Sequence, residues 1–246
     1  MKGSLSIVMP AFNEGQILSK TVIHCHQQIL SNFERGEIII VDDCSTDNTA
    51  EVIKELIDRF GDCIRLIRNR ENLGHGPSLI RGLHAARCKY VFVIDSDYQH
   101  IPHDFWKLFP KMNRYHVATG LRSHRKDPMH RLILSKCANR LVASLFQCSL
   151  KDMNIPFKLF KKECLDTVLL YVPKNFKVPS ILLVAIALKL GFKVVQLEVT
   201  HLPRSTGRCS LRALKLLSFS CRALAQFVAY RLGPWRRIGS ASLVNG

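Results

Sequence analysis

Three acidic clusters fall where this sequence could do chemistry. Asn13-Glu14 follows an apolar run through Pro10-Ala-Phe, Asp42-Asp43 closes a second run, and Asp95-Ser-Asp97 closes a third, Tyr90-Val-Phe-Val-Ile94. A carboxylate just past a strand often does no more than cap the next helix. Three such groups at one sheet edge repel each other unless a cation or a hydrogen-bonding ligand lies between them. The D-x-D pair is the sharpest feature, because two carboxylates turned toward one point outside a strand end make a hard-oxygen site. Mg2+ or Mn2+ suits it, held by Asp95 and Asp97, with Gln99 as a neutral oxygen and water or ligand phosphates completing the shell. The ten histidines and nine cysteines show no metal spacing and no C-x-x-C pair, so neither zinc nor a disulfide framework is indicated. Cys25, Cys63 and Cys137 sit in apolar patterns, as small buried hydrophobes do.

Regular elements must carry these clusters. Residues 5–9, 37–41, 64–68 and 90–94 are short β-branched or aromatic runs, separated by helical patterns over 16–33, 47–60 and 76–86. Asp47 and Asn48 offer an N-cap, with Glu51 placed for a capping box. Strand–helix alternation builds a mostly parallel sheet whose ligands gather at the carboxyl ends of the strands. Further on, residues 117–121 and 193–199 read as strands, 129–147 as a long helix and 178–190 as a buried helix that Gly191 ends. An amphipathic helix over 211–232 closes at Gly233-Pro234. The expected architecture is one α/β core over 1–210 with a basic helical extension over 211–246.

Charge divides the chain. Residues 1–110 hold 12 basic and 14 acidic residues, residues 111–246 hold 24 and 5, and the whole carries a net +17. Such a second half meets something anionic. A nucleic-acid binder would show an RNP, helix-turn-helix or zinc signature, none of which is present, and would leave the acidic strand ends without a purpose. The longest apolar run, residues 181–188, falls far short of the ~20 residues of a membrane span, and residues 4–9 are too short for a signal core. The expectation is a cytoplasmic protein, peripheral on the cytosolic face of a membrane.

The order of motifs carries a family resemblance. Ser6-Ile-Val-Met-Pro-Ala-Phe-Asn-Glu14, Glu37-Ile-Ile-Ile-Val-Asp-Asp-Cys-Ser-Thr-Asp47, Asn72-Leu-Gly-His-Gly76 and Asp95-Ser-Asp-Tyr-Gln-His100 resemble a GT-A fold, family 2 glycosyltransferase. Gly120-Leu-Arg-Ser-His-Arg-Lys-Asp-Pro128, Arg131 with Ser135 and Asn139, residues 152–160 and His201-Leu-Pro-Arg-Ser-Thr-Gly207 resemble its dolichol- or polyprenyl-phosphate branch. The resemblance implies a nucleotide-sugar donor, GDP-mannose or a UDP-sugar, with Pro10, Asn13, Glu14, Asp42, Asp43 and Asp95 around the nucleotide. It implies metal at Asp95, Asp97 and Gln99, catalysis by Asp97, Arg122 and Arg204, and acceptor phosphate on Arg122, Arg131, Ser135 and Arg204. The implied partners are a polyprenyl or dolichyl phosphate and an anionic membrane surface, with room for a membrane-protein partner or a second copy of the chain.

One absence bears on the acceptor. A sugar hydroxyl must lose its proton to a positioned base, whereas a phosphate monoester is already ionised near neutral pH. Processive relatives place a Glu-Asp pair where this chain has Pro179-Ser180, and no Asp or Glu occurs between Thr167 and Leu197. That favours a lipid phosphate, the alternative being a hydroxyl of a glycan or glycolipid served by Asp152. The chain also departs from the usual Cys-Gly-Phe-Lys/Arg, having Ile155-Pro-Phe-Lys158; proline fixes φ and removes an N–H there. In the extension, Leu211, Leu214, Leu217, Cys221, Leu224 and Val228 form an apolar stripe that either packs on the core or meets a membrane.

Overall fold

The computed structural model describes residues 3–122, 144–146, 150–203 and 213–238. Alternation of buried side chains builds the sheet. Ile7 and Met9 of β1 (Ser4–Ala11) point into one apolar layer and Val8 into the other; Ile38 and Ile40 of β2 (Arg35–Asp42) oppose Ile39 and Val41 in the same way. With β3 (Ile64–Arg68), β4 (Tyr90–Ile94), β5 (Val117–Arg122), β6 (Phe157–Lys161) and β7 (Val194–Val199), the spatial order is β3-β2-β1-β4-β6-β5-β7. β1, β2, β3 and β4 are mutually parallel, as are β5 and β7; β6 runs antiparallel to both β4 and β5.

Helices cover both faces. α1 (Leu18–Gln28), α2 (Thr49–Phe60) and the short α4 (Phe105–Leu108) lie on one side. On the other lie α3 (His75–Ala85), α5 (Lys162–Leu169), α6 (Pro179–Lys189), α7 (Ala213–Leu232) and α8 (Pro234–Ile238). α6 is buried on every side from Pro179 to Ala187, as an all-apolar helix must be. Gly191, at φ +81°, follows it in the left-handed conformation.

Several expectations need correction. β6 was not anticipated, because Phe-Lys-Leu-Phe-Lys puts a lysine where the alternation demands an apolar residue, and Lys158 is nonetheless buried. The pattern over 16–33 resolves into α1 and a 3-10 turn at Leu30–Asn32. Asn48 makes no side-chain cap on α2; Asp47 instead accepts from the Thr49 N–H (3.0 Å) and from the Gly15 N–H (3.2 Å), diverting the cap into a brace between two loops. Most of the helix expected over 129–147 lies outside the described residues.

Of the two placements left open for the stripe on α7, its described members Cys221, Leu224 and Val228 do not take the core; Leu211, Leu214 and Leu217 lie outside the described side chains. Ala223, Phe227 and Tyr230 are buried, while Leu224 and Val228 are more than a third exposed and Cys221 is exposed. Aromatic residues decide the face: Phe227 meets Phe146 and Phe176 edge-on. Among the described residues, no helix is long and apolar enough to cross a membrane.

Candidate active site

The carboxyl ends of β1, β2 and β4 open into three loops braced against one another. Each contains a non-glycine residue in the left-handed region: Asn13 (φ 55°), Cys44 (φ 62°) and Tyr98 (φ 55°). Such strain concentrates where the surrounding bonds over-determine the backbone. The Asn13 N–H donates to Ser45 Oγ (3.0 Å), and Asn13 Oδ1 accepts from the Thr46 N–H (2.8 Å). Asp42 accepts from the Ser45 N–H at 2.9 Å and pairs with Arg68 at 3.3 Å. Pro10 lies two residues past the β1–β4 ladder, which ends at Val8 and Val93, so its missing N–H interrupts no β4 pairing.

Asp43 is a knot. Its Oδ1 accepts from Asn69 Nδ2 (2.7 Å) and the Leu73 N–H (2.9 Å), and its Oδ2 from the Gly74 N–H (2.8 Å). The end of β2 is thereby tied to the start of α3. Gly74 takes φ +91°, which suits glycine, and Gly76 touches the chain before α6 so closely that a Cβ would lie 2.3 Å from the Phe176 carbonyl oxygen. This packing sets His75 beside the D-x-D, with Nε2 3.0 Å from Asp95 Oδ1. Loss of solvent works against both charges, yet Asp95 raises the His75 pKa and His75 holds the Asp95 carboxyl below the usual carboxylate range.

The D-x-D loop is clipped from two directions. Thr21 Oγ1 on α1 donates to the Ser96 carbonyl at 2.8 Å, and Tyr98 turns away to place its hydroxyl 2.6 Å from His24 Nδ1. From the other side, the Leu202 N–H donates to the Gln99 carbonyl (2.8 Å), and His100 bridges to His201 after β7. Asp97 Oδ1 accepts from the Gln99 N–H at 3.1 Å.

A cavity of about 290 Å³ opens over this loop, its walls including Asp95, Asp97, Gln99, His100, Arg122 and Ser180. Arg122 donates from Nε (2.7 Å) and Nη2 (2.8 Å) to the two oxygens of Asp152. Gln196 on β7 holds the Asp152 backbone through its carbonyl (3.0 Å). Behind the wall, the Lys158 ammonium donates to the Ile155 carbonyl and, at 2.7 Å, to Ser180 Oγ. Burial pushes Lys158 down to about 7; Asp152 and Asp95 oppose that, and Arg122 adds to it. Burial likewise pushes His100 to about 4, and among the described residues its buried Nδ1 has no hydrogen-bond partner.

The structure therefore brings Asp95, Asp97, Gln99 and Arg122 onto one cavity. Pro10, Asn13, Glu14, Asp42 and Asp43 lie in or beside the neighbouring loops of the same sheet edge without lining it. Arg131, Ser135 and Arg204 lie outside the described residues. His75 and Ser180 line the cavity although neither was assigned a role from the sequence. The signals were faint: a histidine inside the Asn72–Gly76 motif, and a serine standing where relatives carry a base. Among the described residues, no three His, Cys, Asp or Glu side chains form a ready-made metal cage. Two carboxylates and an amide at one strand end fit a hard cation that draws its remaining ligands from water and phosphate.

Residues 6–169 match the family profile described as Glycosyl transferase family 2. The chain belongs to this family. Over 98% of its length it is 26% identical to the dodecaprenyl-phosphate galacturonate synthase of Rhizobium johnstonii, covering 72% of that protein. It is 25% identical to the undecaprenyl-phosphate 4-deoxy-4-formamido-L-arabinose transferase of Proteus mirabilis, covering 98% of this chain and 73% of that one. Among solved structures, glucosyl-3-phosphoglycerate synthase from Mycobacterium tuberculosis in complex with Mn2+, UDP and phosphoglyceric acid superposes with a TM-score of 0.67 at 19% identity, over 93% of this chain and 78% of that one. The sheet and its flanking helices are thus those of a GT-A glycosyltransferase.

Proposed function

We propose that this family 2 glycosyltransferase moves a sugar from a nucleotide-sugar donor, GDP-mannose or a UDP-sugar, to a polyprenyl or dolichyl phosphate, with inversion, on the cytosolic face of a membrane. One observation carries the reading: Asp95 and Asp97 line the same cavity as Arg122 and Lys177. Asp152, the carboxylate paired with that arginine, is gripped through both oxygens. A hydroxyl acceptor would need that carboxylate as a base, whereas a phosphate monoester needs only to be received and oriented. The lipid-phosphate names of both relatives support the same acceptor.

In this scheme Asp95, Asp97 and Gln99 would hold Mg2+ or Mn2+, which when bound supplies charge neutralisation for the departing diphosphate. Asp42, Asp43 and Asn13 fix the loops that frame the nucleoside, with Pro10 and Glu14 beside them. Arg122 holds its charge at the cavity wall, fixed in direction by Asp152, and with Arg131, Ser135 and Arg204 receives the acceptor phosphate. A catalytic core over 1–210 is held to the lipid by the extension over 211–246, whose outward Leu224, Val228 and Leu232 lie among Arg222 and Arg236 in a stretch without acids.

The test is an extraction assay offering labelled UDP- and GDP-sugars with polyprenyl phosphate, with and without Mg2+ or Mn2+. Label should enter the organic phase and be lost in Asp97→Ala. Transfer confined to hydroxyl acceptors would overturn the reading.

A further inference from the structure

One buried cation has no part in that scheme. Lys158 on β6 is 1% exposed, and among the described residues its nitrogen meets only neutral oxygens at hydrogen-bond distance, those of Ile155 and Ser180. Asp152, close enough to act on it through space, is held by Arg122. Burying an ammonium without a counter-charge is costly, and hydrogen bonds to neutral oxygens do not cancel the charge. Among the described residues no carboxylate meets the Lys158 nitrogen at hydrogen-bond distance; Asp152 and Asp95 act on it only through space.

The cavity side of this cation is where a counter-charge would enter. Ser180, whose Oγ accepts from Lys158, is the second residue of the 11-residue α6 and lines the cavity. The first-turn N–H groups of a helix have no partners within it, and Pro179 contributes none. His100 Nδ1, also buried and without a hydrogen-bond partner among the described residues, belongs to a residue of the same cavity wall, a second polar group that a ligand would satisfy. The Ser180 hydroxyl has only a long bond of its own, 3.3 Å to the Ile155 carbonyl.

We propose that Ser180, backed by the Lys158 ammonium, is an oxyanion subsite for the phosphomonoester of the acceptor. Lys158 Nζ–H donates to Ser180 Oγ, and the Ser180 O–H turns from Ile155 to a phosphate oxygen. Lys158 touches no substrate; it is a positioning residue that fixes the serine rotor and adds charge behind it. A second oxygen of the same phosphate then forms the bond to the anomeric carbon as the bond to the nucleoside diphosphate breaks, and no proton moves. The assignment of the anion to the acceptor rests on the function proposed above.

The experiment uses the full chain and three variants, Lys158→Met, Lys158→Arg and Ser180→Ala. Calorimetry measures farnesyl monophosphate, with farnesol as the control for the tail, and in parallel UDP or GDP with Mn2+. Lys158→Met and Ser180→Ala should each weaken the monophosphate about tenfold. The double variant should lose no more than Lys158→Met alone, Lys158→Arg should recover most of the affinity, and nucleotide binding should stay within about twofold of wild type. A loss falling on the nucleotide, an additive double variant, or unchanged monophosphate binding would overturn the subsite, as would a wild type that binds farnesol as well as the monophosphate. Turnover with polyprenyl phosphate is scored separately. A wild type that binds the monophosphate through Lys158 yet transfers no sugar to it keeps the subsite and sinks the acceptor reading.

Discussion

Lys158→Met should stabilise the protein at neutral pH while removing a buried hydrogen-bonding group. The folded-state pKa of Lys158 is lowered to about 7 from 10.5 by burial. Between those values the unfolded chain holds a proton that the folded chain has shed, so stability rises as pH climbs through that window, and the full penalty is carried below it. At pH 7 linkage gives a penalty of about 4 kcal/mol, and at pH 9.5 about 1 kcal/mol. Methionine carries no such penalty. It does forfeit the donors to Ile155 and Ser180, at about 1–3 kcal/mol. The variant should therefore gain about 1–3 kcal/mol at pH 7, and its advantage should shrink by about 3 kcal/mol by pH 9.5. Urea unfolding followed by circular dichroism at both pH values reads this directly. A variant less stable at pH 7, with an unfolding free energy parallel to wild type across the window, would refute the charge argument and leave Lys158 an ordinary structural donor.

Other outcomes follow from the same geometry. Gly76→Ala should cost about 1–3 kcal/mol in denaturant unfolding, because its Cβ would lie 2.3 Å from the Phe176 carbonyl oxygen. Asp152→Ala strands Arg122 in a pair whose side chains are only 13% and 6% exposed, and should destabilise by about 3–5 kcal/mol; Arg122→Met together with Asp152→Leu should recover most of that in the same assay without restoring transfer. Glu37 accepts from Ser6, Arg65 and the Arg87 N–H, and these bonds outweigh burial and hold its pKa low. Its stabilisation is present above the unfolded carboxylate pKa and is lost as pH falls through the folded value, so Glu37→Gln should flatten the acid limb of a melting-temperature profile.

Where the chain alternates cleanly, its sequence located the elements. Residues 90–94 carry five apolar or aromatic side chains up to Asp95, and β4 has those bounds. The D-x-D was legible for the same reason, since it ends a readable strand; Arg122 was picked out only by the family resemblance of its motif. Lys158 was not, since burial of a lysine is a tertiary fact that propensity cannot show, and β6 was lost with it. The stripe on α7 was legible, but not which way it would face. Helical periodicity permits two apolar faces there, and the choice was made by Phe146 and Phe176, far away in the chain. Asp47 looked like a cap by spacing, but Gly15, a loop away, claimed one of its oxygens.

Gln226 on α7 accepts from the Lys177 N–H at 2.9 Å and donates to the Asn175 carbonyl, and Lys177 and Val178 form part of the cavity wall. The helix with the outward ridge is therefore bonded directly to the chain that forms the cavity's lip. A displacement of the helix that carries Leu224, Val228 and Leu232 would pull on that wall through the two hydrogen bonds of Gln226. A chain cut before α7 would leave the Lys177 N–H and the Asn175 carbonyl without these bonds and loosen one edge of the cavity.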